Sequence, residues 1–470
     1  MLDARSRRRR TLLGAGLAAS VLVATGVGAA GAAPLAGDRT DAAKGAIQGG
    51  RARNVILFVG DGMGDSEITM ARNYAKGADG RLNMDMLPLT GAYTTYSLHK
   101  DTGKPDYVTD SSAGATGWAT GTKTYNGAIS VDRFGRDLPT VLELAQKAGY
   151  VTGDVTTAEL TDSTPAAIAA HVPDRSCQGP ADMKECPQDA KEKGGPGSIA
   201  EQLVDHGVDV LMGGGKRRFD QTVTGGKYTG QTVLAQAQAQ GYTTVFDSAG
   251  LTGVRKDQKV LGLFSPGIMP PRWNGPAATP FTAEGADNTV PQPCPDTSSA
   301  PAGQPTLERM TAEALRLLDA KAERNKDGRG FFLQVEGAGI DLLGHVSNPC
   351  SQIGETVGFD DAIALGRAYA AKHPDTLVIV TADHAHASQI VEYPQTAGNH
   401  SAGGIRTLLT TEGAPMVISY ATNAGAPEAI QGHTGSQVRV AAQGPQAANV
   451  LGITNQTDLF HTMSRALGLR

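Results

Sequence analysis

This chain of 470 residues lacks several features that mark common protein classes. It has only four cysteines and no C-x-x-C pair, which argues against a zinc–thiolate centre. Its formal net charge of −5 gives no sign of a nucleic-acid partner. A Gly-x-Ser-x-Gly motif is also missing, so any serine nucleophile must be activated in another way.

Long hydrophobic runs are missing too, except near the N-terminus. Residues 11–28 are rich in Gly and Ala, follow an arginine-rich segment at residues 5–10, and precede an Ala-x-Ala pattern at residues 30–32. This combination predicts an export signal over residues 1–32 that is removed near Ala33. The stretch is short and weakly hydrophobic, which argues against a stable membrane anchor. The arginines favour a twin-arginine signal, with the general secretory route as the alternative.

The four cysteines fit an exported protein, because disulfides persist outside the cytosol. Three pairings are possible. We expect Cys177–Cys186 and Cys294–Cys350, which would hold two loops beside the site proposed below. Free buried thiols are the alternative.

Hydrophobic residues make up 40% of the chain and aromatic residues 5%, which is ample for a large core. Short β-branched runs bounded by Gly-rich turns predict buried parallel strands, and amphipathic segments between them predict helices. The predicted strands are residues 54–60, 150–156, 209–212, 331–335 and 376–381, and the predicted helices are 138–148 (capped by Asp137), 307–324 and 359–371. Alternating helices and strands predict an α/β fold, a mostly parallel central sheet with helices on both faces.

No sequence boundary separates two cores, and no tandem repeat is apparent. We therefore expect a flexible segment over residues 33–50 and a single catalytic domain over residues 51–470. Two segments, residues 266–305 and residues 394–427, are expected to be irregular insertions.

Three of the predicted strands end on carboxylate or imidazole side chains. The first leads to Asp61, another to Glu336, and the last to Asp383 and His384. Ligands of open parallel sheets bind beyond the carboxyl ends of the strands, so these side chains are expected at one edge. This arrangement predicts a metal site.

Further candidate ligands follow these strands. Asp341 and His345 are four residues apart, which places both on one face of a helix, and His433 lies in a Gly-flanked loop. Mixed His and Asp ligands suit zinc, and Glu336 adds an oxygen ligand that suits magnesium. Each motif alone has an ordinary explanation: a helix-surface ion pair, a capping Asp383, or a loop histidine. Their joint occurrence at strand ends favours the metal site.

A segment of small residues, 107–127, supplies a candidate nucleophile. Ser111 follows Asp110 at the predicted start of a helix, where free N–H groups attract anions. A metal ion would remove the proton from its hydroxyl. A plain N-cap is the alternative for this serine.

Several long segments, among them VGDGMGDSEITMARNY, DYVTDSSAGATGWATGTKTYNGA, TAELTDSTPAAIAAHV, FFLQVEGAGID, VIVTADHAHASQI and HTGSQVR, closely resemble the bacterial alkaline phosphatases. The resemblance covers nearly all of the chain after Asn54. It implies an exported, homodimeric hydrolase that cleaves small phosphate monoesters through a phosphoserine intermediate and releases inorganic phosphate.

The resemblance implies two Zn²⁺ and one Mg²⁺ per chain. The implied ligands are Asp341, His345 and His433 for the first zinc, Asp61, Asp383 and His384 for the second zinc, and Asp61, Thr164 and Glu336 for magnesium. Ser111 matches the nucleophile and Arg175 the arginine that clamps phosphate. Asp110, Asp162 and His386 are expected to support these residues. Asp162 would reach magnesium through water, and His386 would orient a carboxylate ligand.

The chain departs from the family pattern at two positions. Leu342 stands where the best-known bacterial enzyme has a lysine that reaches phosphate through water, and Gly344 replaces an acidic residue. Asp162 is then expected to lose its cationic partner. Weaker phosphate inhibition and altered magnesium affinity should follow.

Other functions remain open from the residues themselves. A related phosphodiesterase, sulfatase or phosphomutase would share the scaffold, although the C/S-x-P-x-R context of sulfatases is missing around Ser111. A non-catalytic protein that scavenges zinc or phosphate would share the metal ligands.

Overall fold

Strand Asn54–Gly60 forms as predicted, and all seven of its residues are buried. The computed structural model describes residues 38–297, 299–423 and 430–469, so the predicted export signal at residues 1–32 lies outside the described part. The strands in chain order are β1 (Asn54–Gly60), β2 (Leu89–Thr94), β3 (Ser97–Leu98), β4 (Pro105–Asp106), β5 (Val151–Glu159), β6 (Val210–Gly214), β7 (Tyr242–Val245), β8 (Lys259–Leu263), β9 (Thr279–Pro280), β10 (Phe331–Gly337), β11 (Thr376–Ala382), β12 (Ser388–Val391), β13 (Gly404–Leu409), β14 (Pro415–Tyr420), β15 (Val438–Gln443) and β16 (Gly452–Asn455).

The helices surround these strands. They are α1 (Thr40–Ala46), α2 (Asp65–Lys76), α3 (Ser111–Thr120), α4 (Val141–Lys147), α5 (Ser163–Ala166), α6 (Ile199–Asp205), α7 (Lys216–Phe219), α8 (Val233–Ala239), α9 (Ser248–Thr252), α10 (Leu307–Ala322), α11 (Gly339–His345), α12 (Pro349–Lys372) and α13 (Asp458–Leu467). Short 3-10 helices lie at Met84–Met86, Pro180–Asp182, Lys191–Lys193, Gly226–Tyr228 and Ala447–Val450.

One large sheet organises the described chain, in the order β16-β2-β15-β11-β1-β10-β5-β6-β8-β7. The strands from β11 to β7 pair in parallel, whereas β15 is antiparallel to both of its neighbours. Helices cover both faces, so the predicted α/β fold with a mostly parallel sheet is confirmed. Strands β1, β10 and β11 are buried along their whole length, as apolar packing on both faces requires.

Glycines let the long helix α12 approach the sheet closely. Phe58 on β1 meets Phe359 on α12 edge-to-face, with ring centroids 6.1 Å apart. A Cβ atom on Gly366 would lie 2.5 Å from the Phe58 ring, and one on Gly337 would lie 2.9 Å from the Phe359 ring. Side chains at these two glycines would therefore push α12 away from the strands that carry the site.

Two predicted helices begin at the wrong residue. Helix α4 starts at Val141, not at residue 138, and Thr140 replaces Asp137 as its cap. The Thr140 hydroxyl accepts a hydrogen bond from the Glu143 amide, and the Glu143 carboxylate accepts one from the Thr140 amide. This reciprocal capping box is a stronger start signal than a lone aspartate. Helix α12 begins at Pro349, ten residues before the prediction, because internal glycines obscured its pattern.

The expectation of an irregular insertion at residues 394–427 is wrong for much of its length. Strands β13 and β14 form there and join a second sheet in the order β12-β14-β13-β9. The described residues of the segment 266–305 are irregular apart from the two residues of β9. Within the segment 33–50, the described residues contain helix α1, none of whose residues is buried.

Both predicted disulfides, Cys177–Cys186 and Cys294–Cys350, are present. A search of the helices in the described ranges finds none that is long and apolar enough to cross a membrane.

A buried carboxyl group connects α2 to the second sheet. Glu67 is fully buried, and its Oε1 atom accepts hydrogen bonds from the amide and the hydroxyl of Ser388. Its Oε2 atom has no hydrogen-bond partner in the structure. Burial raises the pKa of Glu67 from 4.5 to about 7, although the bonds from Ser388 act in the opposite direction.

We therefore expect Glu67 to make folding pH-dependent. Because its pKa is higher in the folded chain, its contribution is fully present below pH 4.5 and is lost as the pH rises through 7. Glu67→Gln cannot ionise, so its free energy of unfolding should exceed that of the parent at pH 8 by roughly 3 kcal/mol, and by much less at pH 5. Urea unfolding midpoints at both pH values measure this. Glu284→Gln, at an exposed position, is the control, and an equal gain at both pH values would contradict the prediction.

Candidate active site and metal centres

Three adjacent strands bring the predicted ligands to one edge of the large sheet. Gly60 at the end of β1 pairs with Gly337 of β10 on one side and Ala382 of β11 on the other. The residues at or just beyond these ends are Asp61, Glu336, Asp383 and His384, and all four are buried. The parallel register therefore gathers carboxylates and an imidazole that are far apart in the sequence.

One cluster of possible ligands contains Asp341, His345, His386 and His433. The first group is the three of these that are expected to bind zinc, namely Asp341, His345 and His433. His345 Nε2 lies 3.1 Å from Asp341 Oδ2, and His433 Nε2 lies 3.4 Å from Asp341 Oδ1. The two Nε2 atoms are only 3.2 Å apart. His345 Nδ1 donates to the Gln431 carbonyl at 2.6 Å, and His433 Nδ1 donates to the Thr109 carbonyl at 3.1 Å. These bonds direct both Nε2 atoms at the same place, as in metal sites whose histidines donate their other N–H group.

The second group consists of Asp61, Asp383 and His384. His384 Nε2 lies 3.2 Å from Asp383 Oδ2 and 3.5 Å from Asp61 Oδ1. The two groups adjoin, because the His384 and His433 rings stack with centroids 3.6 Å apart. Burial lowers the pKa of His384 to about 3, so its imidazole is neutral and offers a lone pair to the site.

The charges of this edge fit divalent cations. Burial raises the pKa of Asp61 well above its usual range, and the carboxylates of Asp383, Asp341 and Glu336 raise it further. Asp383 Oδ2 has no hydrogen-bond partner in the structure. Carboxylates and imidazole lone pairs that face one another repel unless a positive charge lies among them. The residues present therefore fit divalent metal ions.

The third expected group is the magnesium group, in which Thr164 and Glu336 join Asp61. Glu336 is buried, and its carboxylate accepts a hydrogen bond from the Thr156 hydroxyl. The Thr164 hydroxyl is buried and has no hydrogen-bond partner, while its carbonyl accepts from Gln334 at 3.0 Å. Hard oxygen atoms of this kind suit magnesium.

Ser111 is the first residue of α3 and is buried beside the second group. Asp110 caps this helix, because its Oδ1 atom accepts a hydrogen bond from the Ala113 amide at 2.9 Å. The Ser111 hydroxyl lies 3.3 Å from His384 Nε2 and 3.4 Å from Asp61 Oδ1. The cap role thus belongs to Asp110, which leaves the Ser111 hydroxyl free for the metal site.

Arg175 extends toward the same helix end. Its guanidinium donates to Asp162 Oδ1 at 2.8 Å and to Asp110 Oδ2 at 3.4 Å. Burial opposes its charge, but Asp162 and Asp110 raise the pKa of Arg175 above its usual value. The expectation that Asp162 lacks a cationic partner is wrong, because Arg175 forms an ion pair with it.

His386 and Gly344 explain one departure from the family pattern. His386 Nδ1 accepts a hydrogen bond from the Ala387 amide at 2.8 Å, so the proton of the neutral ring is on Nε2, 3.3 Å from Asp341 Oδ1. A Cβ atom on Gly344 would lie 2.8 Å from His386 Nδ1. The packing of this histidine leaves no room for an acidic side chain at position 344.

Sequence reasoning missed several residues that hold the ligands. Thr156 binds Glu336 from the neighbouring strand, and its place near the end of a predicted strand was a usable signal. Gln431 and Thr109 orient the two histidines of the first group through backbone carbonyls. Because every residue has a carbonyl, no residue type could have revealed these two.

Comparison with known proteins identifies the family of this chain. The model of the alkaline phosphatase family matches residues 52–431 and 412–469. The chain is 52% identical over 445 residues to the alkaline phosphatase of Escherichia coli (strain K12), covering 94% of this chain and 91% of that protein. It is also 52% identical to the streptomycin-6-phosphate phosphatase of Streptomyces griseus, with 89% and 91% of the two chains covered.

A solved structure shares the fold. It is a variant of the alkaline phosphatase from the Antarctic bacterium TAB5 with magnesium bound, and it is similar with a TM-score of 0.62 and 25% sequence identity. The similarity covers 90% of this chain and all of that one. On this evidence the chain belongs to the alkaline phosphatase family of metal-dependent phosphomonoesterases.

Proposed function

We propose that this chain hydrolyses small phosphate monoesters through a phosphoserine on Ser111 and releases inorganic phosphate. The observation that carries the proposal is the position of the Ser111 hydroxyl, 3.3 Å from His384 and 3.4 Å from Asp61 at the start of a buried helix. A nucleophile there lies beside metal ligands and beside the N–H groups that attract an anionic phosphate.

Two zinc ions and one magnesium ion would be held by the three groups of ligands. They are Asp341, His345 and His433 for one zinc, Asp61, Asp383 and His384 for the other, and Asp61, Thr164 and Glu336 for magnesium, with Asp162 and His386 in support. When bound, such ions lower the pKa of a hydroxyl or water and neutralise the charge that develops on phosphate oxygens.

The residues of the chain have separate roles in this reaction. Ser111 gives up its hydroxyl proton as its oxygen attacks phosphorus, and the ester oxygen leaves and takes up a proton to become the alcohol. Water then attacks phosphorus, the bond to the Ser111 oxygen breaks, a proton from the water restores the hydroxyl, and phosphate is freed. Arg175 presents a planar fork of donors for two phosphate oxygens that do not take part in bond exchange. Asp110 and Asp162 hold that guanidinium in place before substrate arrives.

Two rival functions differ in what they need. A phosphodiesterase would have less use for Arg175, because a diester offers fewer free oxygens to clamp. A non-catalytic zinc or phosphate scavenger would need the metal ligands but not the Ser111 hydroxyl. The buried position of this hydroxyl among the ligands favours the phosphatase.

We also propose that the chain is exported and acts as a homodimer. The two disulfides support export, since they form in oxidising compartments. Tyr107 and Val108, whose neighbour Thr109 binds His433, are exposed by 76% and 41%. An apolar surface of this kind beside the site suits contact with a second subunit.

Ser111→Ala should abolish turnover of p-nitrophenyl phosphate, because it removes the nucleophile. We expect a loss of at least ~10³-fold in kcat, with zinc and magnesium content unchanged. Ser112→Ala, at the neighbouring buried serine, is the matched control and should retain most turnover. Full activity of Ser111→Ala would refute Ser111 as the nucleophile, whereas a parent chain that binds zinc but shows no turnover would favour the scavenger.

Removal of the metals should also stop turnover. A chelator in excess is expected to reduce p-nitrophenyl phosphate hydrolysis to background, and added zinc with magnesium should restore it. The control is the same chelator saturated with zinc beforehand. Elemental analysis before and after treatment should follow the activity, and turnover that persists in metal-free protein would refute the proposed chemistry.

Leu342→Lys should strengthen inhibition by phosphate, because it adds a cation at the position where the family has one. For a partly exposed charge we expect an inhibition constant lower by roughly 2- to 5-fold. Val346→Lys, which adds the same charge at an exposed position four residues on, serves as the control. An unchanged inhibition constant in Leu342→Lys would show that this position does not contact phosphate.

A further inference from the structure

A further group of metal-binding side chains lies outside the three groups described above. Glu143 on α4, His171 on the segment after α5 and His206 at the end of α6 bring one donor atom each within 4.8 Å of one another. A cavity of about 520 Å³ borders all three side chains. None of these residues has a part in the reaction proposed for Ser111.

Glu143 is held in place by the helix that it helps to start. Its Oε2 atom accepts a hydrogen bond from the Thr140 amide at 2.8 Å, which completes the capping box. Its Oε1 atom faces both imidazoles, at 2.8 Å from His171 Nε2 and 3.4 Å from His206 Nδ1. One carboxylate oxygen is therefore fixed by the backbone, and the other is directed at two histidines.

His171 is oriented as metal-binding histidines are. Its Nδ1 atom donates to the Ser130 carbonyl at 2.9 Å, so Nε2 is the nitrogen that can bind a cation. The side chain of Gln202 holds the backbone of His171 on both sides. It accepts from the His171 amide at 2.8 Å and donates to the His171 carbonyl at 3.0 Å.

His206 completes the set from a different element. It follows the last residue of α6, and its amide donates to the Gln202 carbonyl at 2.9 Å. Its carbonyl accepts from Gln146 Nε2 at 3.2 Å. The side chain is 29% exposed, against 10% for His171 and 21% for Glu143, so a cation could enter from the cavity.

We propose that Glu143, His171 and His206 bind a further divalent cation of the zinc class, with the cavity side supplying its open position. Two imidazoles and one carboxylate form a recurrent zinc donor set. The ion would join α4, the end of α6 and the segment that leads from His171 to Arg175. Its effect would be to stabilise this part of the fold, since the three ligands contact neither Ser111 nor Arg175.

The competing explanation is that His171 and His206 form ion pairs with Glu143 without a metal. That explanation accounts for both contacts, but it predicts that replacing His206 leaves the zinc content unchanged. His206 is therefore the residue whose replacement separates the two.

Zinc content measures the difference directly. The parent chain, His206→Gln and the control His461→Gln, an exposed histidine on α13, are equilibrated with buffered micromolar zinc and analysed for bound metal. We expect His206→Gln to hold one zinc ion fewer per chain than the other two proteins. Equal zinc content in all three would overturn the proposal. Hydrolysis of p-nitrophenyl phosphate should be the same in all three, so this result does not depend on the mechanism at Ser111.

Diffraction supplies a second test that needs no variant. Crystals of the parent protein soaked in zinc chloride are measured at the zinc absorption edge. A peak bonded to His171 Nε2, the His206 ring and Glu143 Oε1 would support the site, and its absence would count against it.

Discussion

Mutual repulsion among buried carboxylates is the constraint on which the rest of this structure depends. Asp61, Asp383 and Asp341 meet at one sheet edge, and burial together with their neighbours raises the pKa of Asp61 well above its usual range. Two like charges about 4 Å apart repel by roughly 4 kcal/mol even at an effective dielectric constant of about 20. A proton or a bound cation must offset this repulsion in the folded molecule, and the imidazole lone pairs among the carboxylates favour cations. Metal dependence is thus a property of the folded edge and not of one residue.

The central strands position the carboxylates of this edge, and the loops orient the histidines of the first group. Strands β1, β10 and β11 are buried along their length, and Gly337 on β10 and Gly366 on α12 let that helix pack directly on the sheet. The histidines of the first group are oriented by the carbonyls of Gln431 and Thr109, both in irregular segments. The rigid strands therefore supply most of the charge, and the loops set the direction of the lone pairs.

The sequence predicted those parts that depend on local patterns. An apolar run predicted the central strand, and residue type predicted the candidate ligands at the strand ends. The predicted export of the chain led to the two disulfides. What it did not predict depends on contacts between distant residues. Strands β13 and β14 form a hairpin, but the sheet that contains them also needs the distant strand β9. The Arg175–Asp162 ion pair likewise required the folded loop. The early start of α12 was obscured by Gly354, which is small because Trp273 packs against it.

The close packing of Gly344 against His386 has a consequence for chimeras in which a segment of this chain is replaced by that of a related protein. Both position 342 and position 344 differ from the family pattern, but the family residue could be restored more easily at one of them than at the other. Leu342 is only partly buried, so a longer side chain can be placed there. Any side chain at position 344 would instead meet Gln352 and the His386 imidazole, whose Nε2 atom lies 3.3 Å from Asp341. Transplanting the whole helix segment of a relative would therefore disturb the first metal group, and a chimera would have to carry the surroundings of His386 with it.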